Sequence, residues 1–189
     1  MSKKHIITIA GRPGSGKSTA SKAVAAQLGY EHFSSGDLFR AIGKEQGIDL
    51  LQANLAAEKN KRVDHLVDQR LRDIGEKQDH VAIDSRMAWH WMPQSFKVYL
   101  DLDLEVAAHR IISSMDEARL EHEHIPKDPN DYVAILKKRL DSEAKRYMSL
   151  YQVNPYDKSN YDLVIDTEVS NADEVVEQIL SAYKAWLEN

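Results

Sequence analysis

The chain carries the stretch Gly11-Arg12-Pro13-Gly14-Ser15-Gly16-Lys17-Ser18-Thr19 near its N-terminus, and the fold class can be inferred from this stretch. It matches the pattern G-x-x-x-x-G-K-[ST], in which glycines let backbone N–H groups wrap around a polyphosphate. A short β-branched apolar run over 5–10 precedes it, and 17–28 follows with helical spacing of apolar residues. This strand, loop and helix context favours a phosphate site over the alternative, an ordinary glycine-rich turn.

The same alternation of strand and helix continues along the rest of the chain. Further short apolar runs predict strands over 30–33, 80–84, 97–102 and 161–166, and helical patterns fill the intervals. Five repeats of strand and helix indicate an α/β fold with a five-stranded parallel sheet covered by helices on both faces. Ligands of such a sheet bind at the carboxyl ends of its strands.

Two polar stretches interrupt this alternation. The first, 36–77, is a long charged helical insertion between the second and third strands, and the second, 115–131, is a hydrophilic segment leading into a charged helix. We interpret them as flaps within a single domain spanning 1–189, the first binding an acceptor and the second acting as a lid. Closing flaps exclude water from a phosphate transfer site.

Composition restricts the functions that remain possible. The chain has 189 residues with 42% hydrophobic and 29% charged residues, a formal net charge of −5 and no cysteine. These values predict one globular domain without a membrane span, and they argue against non-specific binding along nucleic acid, which needs a basic face. The absence of cysteine excludes thiolate chemistry and fits a cytoplasmic protein.

Three side chains of this pattern have a direct role at a bound triphosphate. Lys17 would place a point charge at the β and γ phosphates, and the Ser18 hydroxyl would contact Mg²⁺, a hard cation that takes oxygen ligands. Asp84 ends the strand at 80–84, where a carboxylate holds Mg²⁺ or its waters. Asp84 as a turn former is the alternative.

The phosphate loop alone does not distinguish regulatory GTPases, mechanical ATPases and small-molecule kinases. A guanine-reading N-K-x-D element is absent, because in the stretch starting at Asn60 the aspartate comes one residue late. A kinase needs cations around the transferring group, and arginines at 40, 86, 110, 139 and 146 supply them. Arg139, Glu143 and Arg146 share one helical face, which on pattern alone also fits a solvated helix surface.

At this point the sequence resembles the nucleoside monophosphate kinases, and among them the compact cytidylate kinases of the archaeal type. The resemblance covers nearly the whole chain and rests on the phosphate loop and on the segments 34–40, 63–70, 83–88, 142–147 with Tyr151, and 161–167. It implies the P-loop NTPase fold and ATP-dependent transfer of the γ-phosphoryl group to CMP or dCMP, giving (d)CDP and ADP. ATP is then the phosphoryl donor and Mg²⁺ the metal cofactor.

The resemblance also implies a set of site residues. The ATP site would comprise Gly11, Pro13, Gly14, Ser15, Gly16, Lys17, Ser18, Thr19 and the lid residue Arg110. The acceptor site would comprise Ser35, Asp37, Arg40, Asp68, Arg70, Arg86, Glu143 and Arg146. Charge stabilisation would come from Lys17, Arg86, Arg139 and Arg146, and the metal site from Ser18 and Asp84. Asp68 and Arg70 together would read the cytosine base.

Two departures from the family pattern leave the shape of the acceptor pocket open. Ser85 stands where the family often has glycine, and the segment 89–92 is one residue longer. We interpret Trp89 and Trp91 as packing residues. We interpret His122 and His124 as part of a solvated segment and not as metal ligands. The alternatives are a P-loop kinase for another nucleotide, shikimate or gluconate, or a non-catalytic ATP sensor. We expect a monomer that acts on a small-molecule nucleotide.

Overall fold

The structure, a computed structural model, describes residues 3–45 and 61–188, apart from the side chains of 43 and 61–64. The strands are β1 Ile6–Gly11, β2 Glu31–Ser34, β3 Val81–Asp84, β4 Phe96–Asp101 and β5 Leu163–Asp166. The helices are α1 Lys17–Leu28, α2 Ser35–Glu45, α3 Lys61–Lys77, α4 Ala88–Trp91, α5 Leu104–Ser113, α6 Glu117–His122, α7 Pro129–Tyr151 and α8 Ala172–Glu188. The middle of the predicted insertion, 46–60, lies outside the described residues.

The five strands form one parallel sheet in the order β2-β3-β1-β4-β5. This confirms the predicted α/β fold, and the predicted strand bounds differ from the observed ones by one or two residues. β1 lies at the centre, so the loop that follows it opens between the ends of β3 and β4. Asp84, at the end of β3, is in register with Ile9 of β1 and Ser34 of β2.

Helices cover both faces of the sheet because successive side chains of β1 point to opposite sides. Ile7 and Ile9 pack with Val24 of α1 and Ile179 of α8 on one face. On the other face Ile6 packs with Leu71 and Ile74 of α3 and with Met92, which directly follows α4. The two apolar layers anchor the sheet and leave its carboxyl end for polar groups.

Helix α7 has two different halves. Its first half is held by apolar contacts with α5, where Tyr132, Val133 and Leu136 are buried against Ala107 and Ala108. Its middle and its second half carry the charged residues Arg139, Glu143 and Arg146. The packing of the first half therefore fixes where the charged half lies.

The segment predicted as a lid, 115–131, contains α6 and the turn before α7. Asp116 and Asp128 cap these helices by accepting hydrogen bonds from the backbone N–H groups of Arg119 and Asn130, each at 2.8 Å. None of the helices in the described part of the chain is both long enough and apolar enough to span a membrane.

Candidate active site

The phosphate loop connects β1 to α1 through backbone conformations that favour glycine. Gly11 has a φ of 148°, and a Cβ atom there would lie 2.2 Å from the backbone oxygen of Leu100. Gly16 precedes α1 with a φ of 81° and offers no side-chain cap to the helix. The first N–H groups of α1 therefore have no side-chain acceptor from their N-cap residue, which is the arrangement that binds an anion.

Lys17 lies over this loop and donates a hydrogen bond from Nζ to the backbone oxygen of Arg12 at 2.7 Å. Burial lowers the pKa of Lys17 from 10.5 to about 8, and the neighbouring Arg86 adds to the effect, while Asp84 and Glu143 oppose it. A buried lysine with other cations nearby is suited to bind a negatively charged group.

Ser18 and Asp84 lie side by side, although 66 positions separate them in the sequence. The Ser18 hydroxyl donates to Oδ2 of Asp84, and the aspartate is only 7% exposed. A hydroxyl and a carboxylate beside a phosphate loop are oxygen ligands of the kind that Mg²⁺ takes. The residues present thus fit the metal expected from the sequence.

A cavity of about 140 Å³ continues from the phosphate loop towards the start of α8. Its lining includes Gly14, Thr19 and Arg110, together with Thr167 and Val175. Arg110 lies on α5 and donates from Nη2 to the backbone oxygen of Thr167 at 2.8 Å. The structure thus brings Arg110 beside the loop residues, as the sequence predicted, but on α5 rather than on the lid segment 115–131.

Glu143 is the centre of a charged cluster that faces the phosphate loop. Its Oε1 accepts from Nε of Arg139 at 3.0 Å, and its Oε2 lies 2.9 Å from Nε of Arg86. The hydroxyl of Tyr156 also donates to Oε2. Sequence reasoning placed Glu143 near an acceptor ribose, whereas the structure shows it paired with two of the arginines predicted to bind phosphate.

The electrostatics of this cluster keep its members charged. Burial disfavours the charged form of Glu143, but Arg86 and Arg139 outweigh it and lower the pKa of Glu143. Burial likewise disfavours the guanidinium of Arg86, and the attraction of Glu143 outweighs it and raises the pKa of Arg86. Glu143 is 12% exposed by side chain, so its charge acts in a partly dry environment.

Arg146 lies one turn further along α7. Its guanidinium is 5.1 Å from the ring centroid of Tyr147, and its side chain is half-buried. It therefore joins Arg139 and Glu143 on the helical face predicted from the sequence spacing.

The acceptor side begins at α2. Ser35 starts this helix and is half-buried, and the exposed side chains of Asp37 and Arg40 form an ion pair three positions apart. Because β2 ends beside β3, these residues lie next to the carboxyl end that carries Asp84.

Asp68 of α3 is buried, at 7% exposure, and belongs to a network that joins three helices. Its Oδ1 accepts from the indole nitrogen of Trp91 in α4 at 3.0 Å, and its Oδ2 accepts from the hydroxyl of Tyr151 at the end of α7. The rings of Trp91 and Tyr151 meet edge to face with centroids 5.0 Å apart.

The expected pairing of Asp68 with Arg70 does not occur in the structure. Arg70 is exposed, because side chains two positions apart on a helix point away from each other. Arg72, four positions after Asp68, lies on the same side of α3, with its guanidinium 3.9 Å from the ring centroid of Trp91. The cation next to Asp68 is thus Arg72, which the sequence reasoning did not select.

Several other site residues were missed. Tyr156 lies in the loop after α7 and reaches Glu143 because the chain turns back after the helix, an effect that no local spacing reveals. Both Trp89 and Trp91 were interpreted as packing residues. Trp89 is indeed buried in the core, but Trp91 also donates a hydrogen bond to Asp68. Arg72, described above, was also missed. The spacing of four residues between Asp68 and Arg72 was the signal in the sequence that could have identified it.

The geometry agrees with the comparisons to known proteins. The family model described as an AAA domain matches residues 10–124. The cytidylate kinase of Natronomonas pharaonis is 37% identical over 185 residues, covering 96% of this chain and 90% of the relative. The cytidylate kinase of Methanocaldococcus jannaschii is 35% identical, covering 94% of this chain and 96% of the relative.

Solved structures show the same fold at lower identity. Shikimate kinase from Aquifex aeolicus superposes with a TM-score of 0.60 at 22% identity, covering 95% of this chain and 96% of that structure. At this identity the likeness carries the fold alone, whereas the curated relatives match along nearly the whole chain at higher identity. The chain therefore belongs to the cytidylate kinase family within the P-loop kinases, as its sequence motifs predicted.

Proposed function

We propose that this protein transfers the γ-phosphoryl group of ATP to CMP or dCMP, giving ADP and the pyrimidine nucleoside diphosphate. The observation that carries the proposal is the set of cations beside the phosphate loop: Arg86 and Arg139 lie close enough to Lys17 to help lower its pKa. Such a set of cations suits a group that passes between two phosphates. The curated relatives are named cytidylate kinases, which supports the acceptor.

The transfer needs no nucleophile from the protein. An oxygen of the acceptor monophosphate attacks the γ phosphorus, and the bond between that phosphorus and the β,γ-bridging oxygen breaks, so that ADP leaves with the electron pair. The acceptor oxygen is already ionised near neutral pH, so the site requires no strong general base. What the chain supplies is position and positive charge.

Lys17 and the uncapped start of α1 would hold the β and γ phosphates of ATP, and the cavity beside Arg110 would take the nucleoside part. Ser18 and Asp84 would hold Mg²⁺, which when bound neutralises phosphate charge during transfer. The role of Glu143 in this scheme is to fix Arg86 and Arg139 in position. Arg146 on the same helix would add charge beside them.

On the acceptor side, Arg40 would bind the monophosphate, with Ser35 and Asp37 beside it. We assign the base to the Asp68 network, with Arg72 in place of Arg70 as the neighbouring cation. A carboxylate has more acceptor positions than the two filled by Trp91 and Tyr151, so Asp68 can still accept from the exocyclic amino group of cytosine. Uracil presents a carbonyl oxygen at that position and leaves the acceptors unmatched.

We further propose that the protein is a single-domain monomer that works in the cytoplasm. In this proposal the stretch 36–77 is the acceptor-binding insertion and the stretch 115–131 is the lid. The rivals are a kinase of shikimate or gluconate and a non-catalytic ATP sensor. The solved shikimate kinase supports only the common fold, and a sensor has no need for cations on both sides of the transferring group.

The deciding experiment is coupled ADP release from ATP and Mg²⁺ against a panel of CMP, dCMP, UMP, AMP, shikimate and gluconate. The expected result is the highest kcat/KM for CMP and dCMP, with a folded Lys17→Ala protein as the control for contaminating kinases. Preference for a sugar acid would replace the proposed acceptor, and no turnover with any acceptor alongside tight ATP binding would favour the sensor.

A further inference from the structure

The opposite end of the sheet carries a cluster that the proposed function does not use. His5, Asp79 and His80 bring one nitrogen or oxygen atom each to within 4.8 Å of one another. Nδ1 of His5 is 3.4 Å and Nδ1 of His80 is 3.7 Å from the same carboxylate oxygen, Oδ2 of Asp79. Two ligands of a tetrahedral ion with bonds of about 2.0 Å are about 3.3 Å apart, so these spacings match a shared ion.

The carboxylate is oriented for this role by the backbone. Oδ1 of Asp79 accepts from the backbone N–H of His5 at 2.6 Å, which turns Oδ2 towards the two imidazole rings. Hydrogen bonds of this kind fix metal-binding carboxylates in known sites.

The two histidines are anchored to the sheet. His5 directly precedes β1 and its backbone oxygen accepts from Val81, while the backbone oxygen of His80 accepts from Glu31 in β2. His80 has a φ of 58°, which few residues other than glycine adopt, and the edge of Tyr30 packs against its ring at 5.2 Å. The two histidines therefore directly precede β1 and β3, and hydrogen bonds of the sheet hold their backbone.

We propose that His5, Asp79 and His80 form a binding site for a divalent transition metal ion of the zinc type. Two imidazoles and a carboxylate prefer such ions over Mg²⁺, which favours oxygen ligands. The rings are now stacked, with centroids 4.6 Å apart and planes 9° apart, so at least one ring must turn about its Cβ–Cγ bond to aim its nitrogen at the ion. Both rings are at the surface, with side chains 45% and 59% exposed, which leaves room for the turn.

This site is separate from the proposed Mg²⁺ site. β1 runs from the cluster to the phosphate loop over six residues, or about 20 Å at 3.3 Å per residue. A bound ion would join the start of β1 to the start of β3 without touching ATP or its acceptor. The proposal therefore stands or falls independently of the kinase assignment.

The test is isothermal titration of the untagged full chain with ZnCl₂ in the presence of millimolar Mg²⁺, which keeps zinc from the Ser18 and Asp84 site. The expected result is one zinc ion per chain. His5→Phe retains a flat ring for the stack, and His80→Asn retains a residue that tolerates positive φ. Each should weaken zinc binding by at least about 10- to 100-fold, the loss that follows even from removing a second-shell partner.

His122→Ala is the matched control, because it removes an exposed histidine outside the cluster and should leave zinc affinity unchanged. Circular dichroism establishes that each variant is folded. No zinc binding by the wild type would overturn the proposal. So would zinc binding that survives in folded His5→Phe and His80→Asn, or that is lost in His122→Ala.

Discussion

The two sides of the active site are built in different ways. The donor side is built mainly on one continuous stretch, 11–19, which is joined by Asp84 on the adjacent strand and Arg110 on α5. The acceptor side draws on four helices, with Arg40 on α2, Asp68 on α3, Trp91 on α4 and Tyr151 on α7. One side is fixed by local backbone conformation, and the other exists only when distant helices come together.

We infer from this difference that the donor side is the rigid part of the site and that the acceptor side determines which base is accepted. The triphosphate has the same chemistry in every nucleoside triphosphate, so a preformed loop that recognises it through backbone N–H groups can be fixed in advance. The base differs from one acceptor to another, so the side that reads it must bring several side chains together. We expect substitutions on the donor side to affect the chemistry itself, and those on the acceptor side to affect the choice of substrate.

The largest difference between the two sides is expected when one cation is removed from each. Lys17→Ala should lower kcat by about 10²–10³-fold, because the charge acts on the transferring group. Arg40→Ala should instead raise the KM for CMP, by about tenfold, because Arg40 is exposed and would bind the acceptor only. Steady-state kinetics with each substrate varied in turn gives both values. Equal losses of kcat in the two variants would contradict the division of roles.

Glycines provide a second matched pair. Gly11→Ala should destabilise the protein by about 2–5 kcal/mol, since the new Cβ meets the Leu100 backbone at 2.2 Å in a left-handed conformation. Gly36→Ala, early in α2, meets nothing closer than 3.5 Å and should change stability by less than about 1 kcal/mol. Urea denaturation of both variants measures the difference. A Gly11→Ala protein as stable as the wild type would show that the loop is not fixed by its backbone.

Selectivity should depend on Asp68. Asp68→Asn adds a donor where the proposed cytosine contact needs an acceptor, so the ratio of kcat/KM for CMP to that for UMP should fall by about 5- to 150-fold. The kcat with the best acceptor should change less than this ratio. Asp73→Asn, on the same helix and paired with Lys77, is the control. An unchanged ratio in Asp68→Asn would remove Asp68 from base selection.

The pKa of Lys17 predicts a pH dependence. With the pKa lowered to about 8, Lys17 is charged below this pH and becomes neutral above it, so kcat/KM for ATP should fall about tenfold between the plateau and pH 9. Bound ATP restores the charge, so kcat should fall less. Lys17→Arg keeps its charge, so whatever activity it retains should show a flat kcat/KM over this range. A wild-type profile that is flat to pH 10 would contradict the assignment.

The fold and the two sides of the site differ in how well the sequence alone predicts them. The fold and the donor side were predictable because the phosphate loop is a local motif, and because Asp84 is marked by its place at the end of an apolar strand. Period-2 and period-3.6 patterns placed all five strands to within two residues. The family was identified from motifs that run in order along the chain.

The acceptor side was less predictable for a physical reason. Asp68, Trp91 and Tyr151 are far apart in sequence, and only tertiary packing brings them into hydrogen-bonding distance. The family resemblance implied Arg70 as the partner of Asp68, whereas the helical period directs Arg72 to that side. Glu143 was expected at a sugar hydroxyl, but its two arginine partners and Tyr156 come from three separate segments.

Helix α7 runs unbroken for 23 residues, about 35 Å, and would link the two proposed substrate sites. Its middle carries the arginine at 139 beside the phosphate loop, and its last residue, Tyr151, touches the buried aspartate of the acceptor side. Because the helix is continuous, we expect a movement of its charged part to change the contact that Tyr151 makes with Asp68. Binding of the pyrimidine nucleotide would then alter the position of Arg139 beside the triphosphate. Such coupling would favour phosphate transfer to the acceptor over hydrolysis of ATP by water.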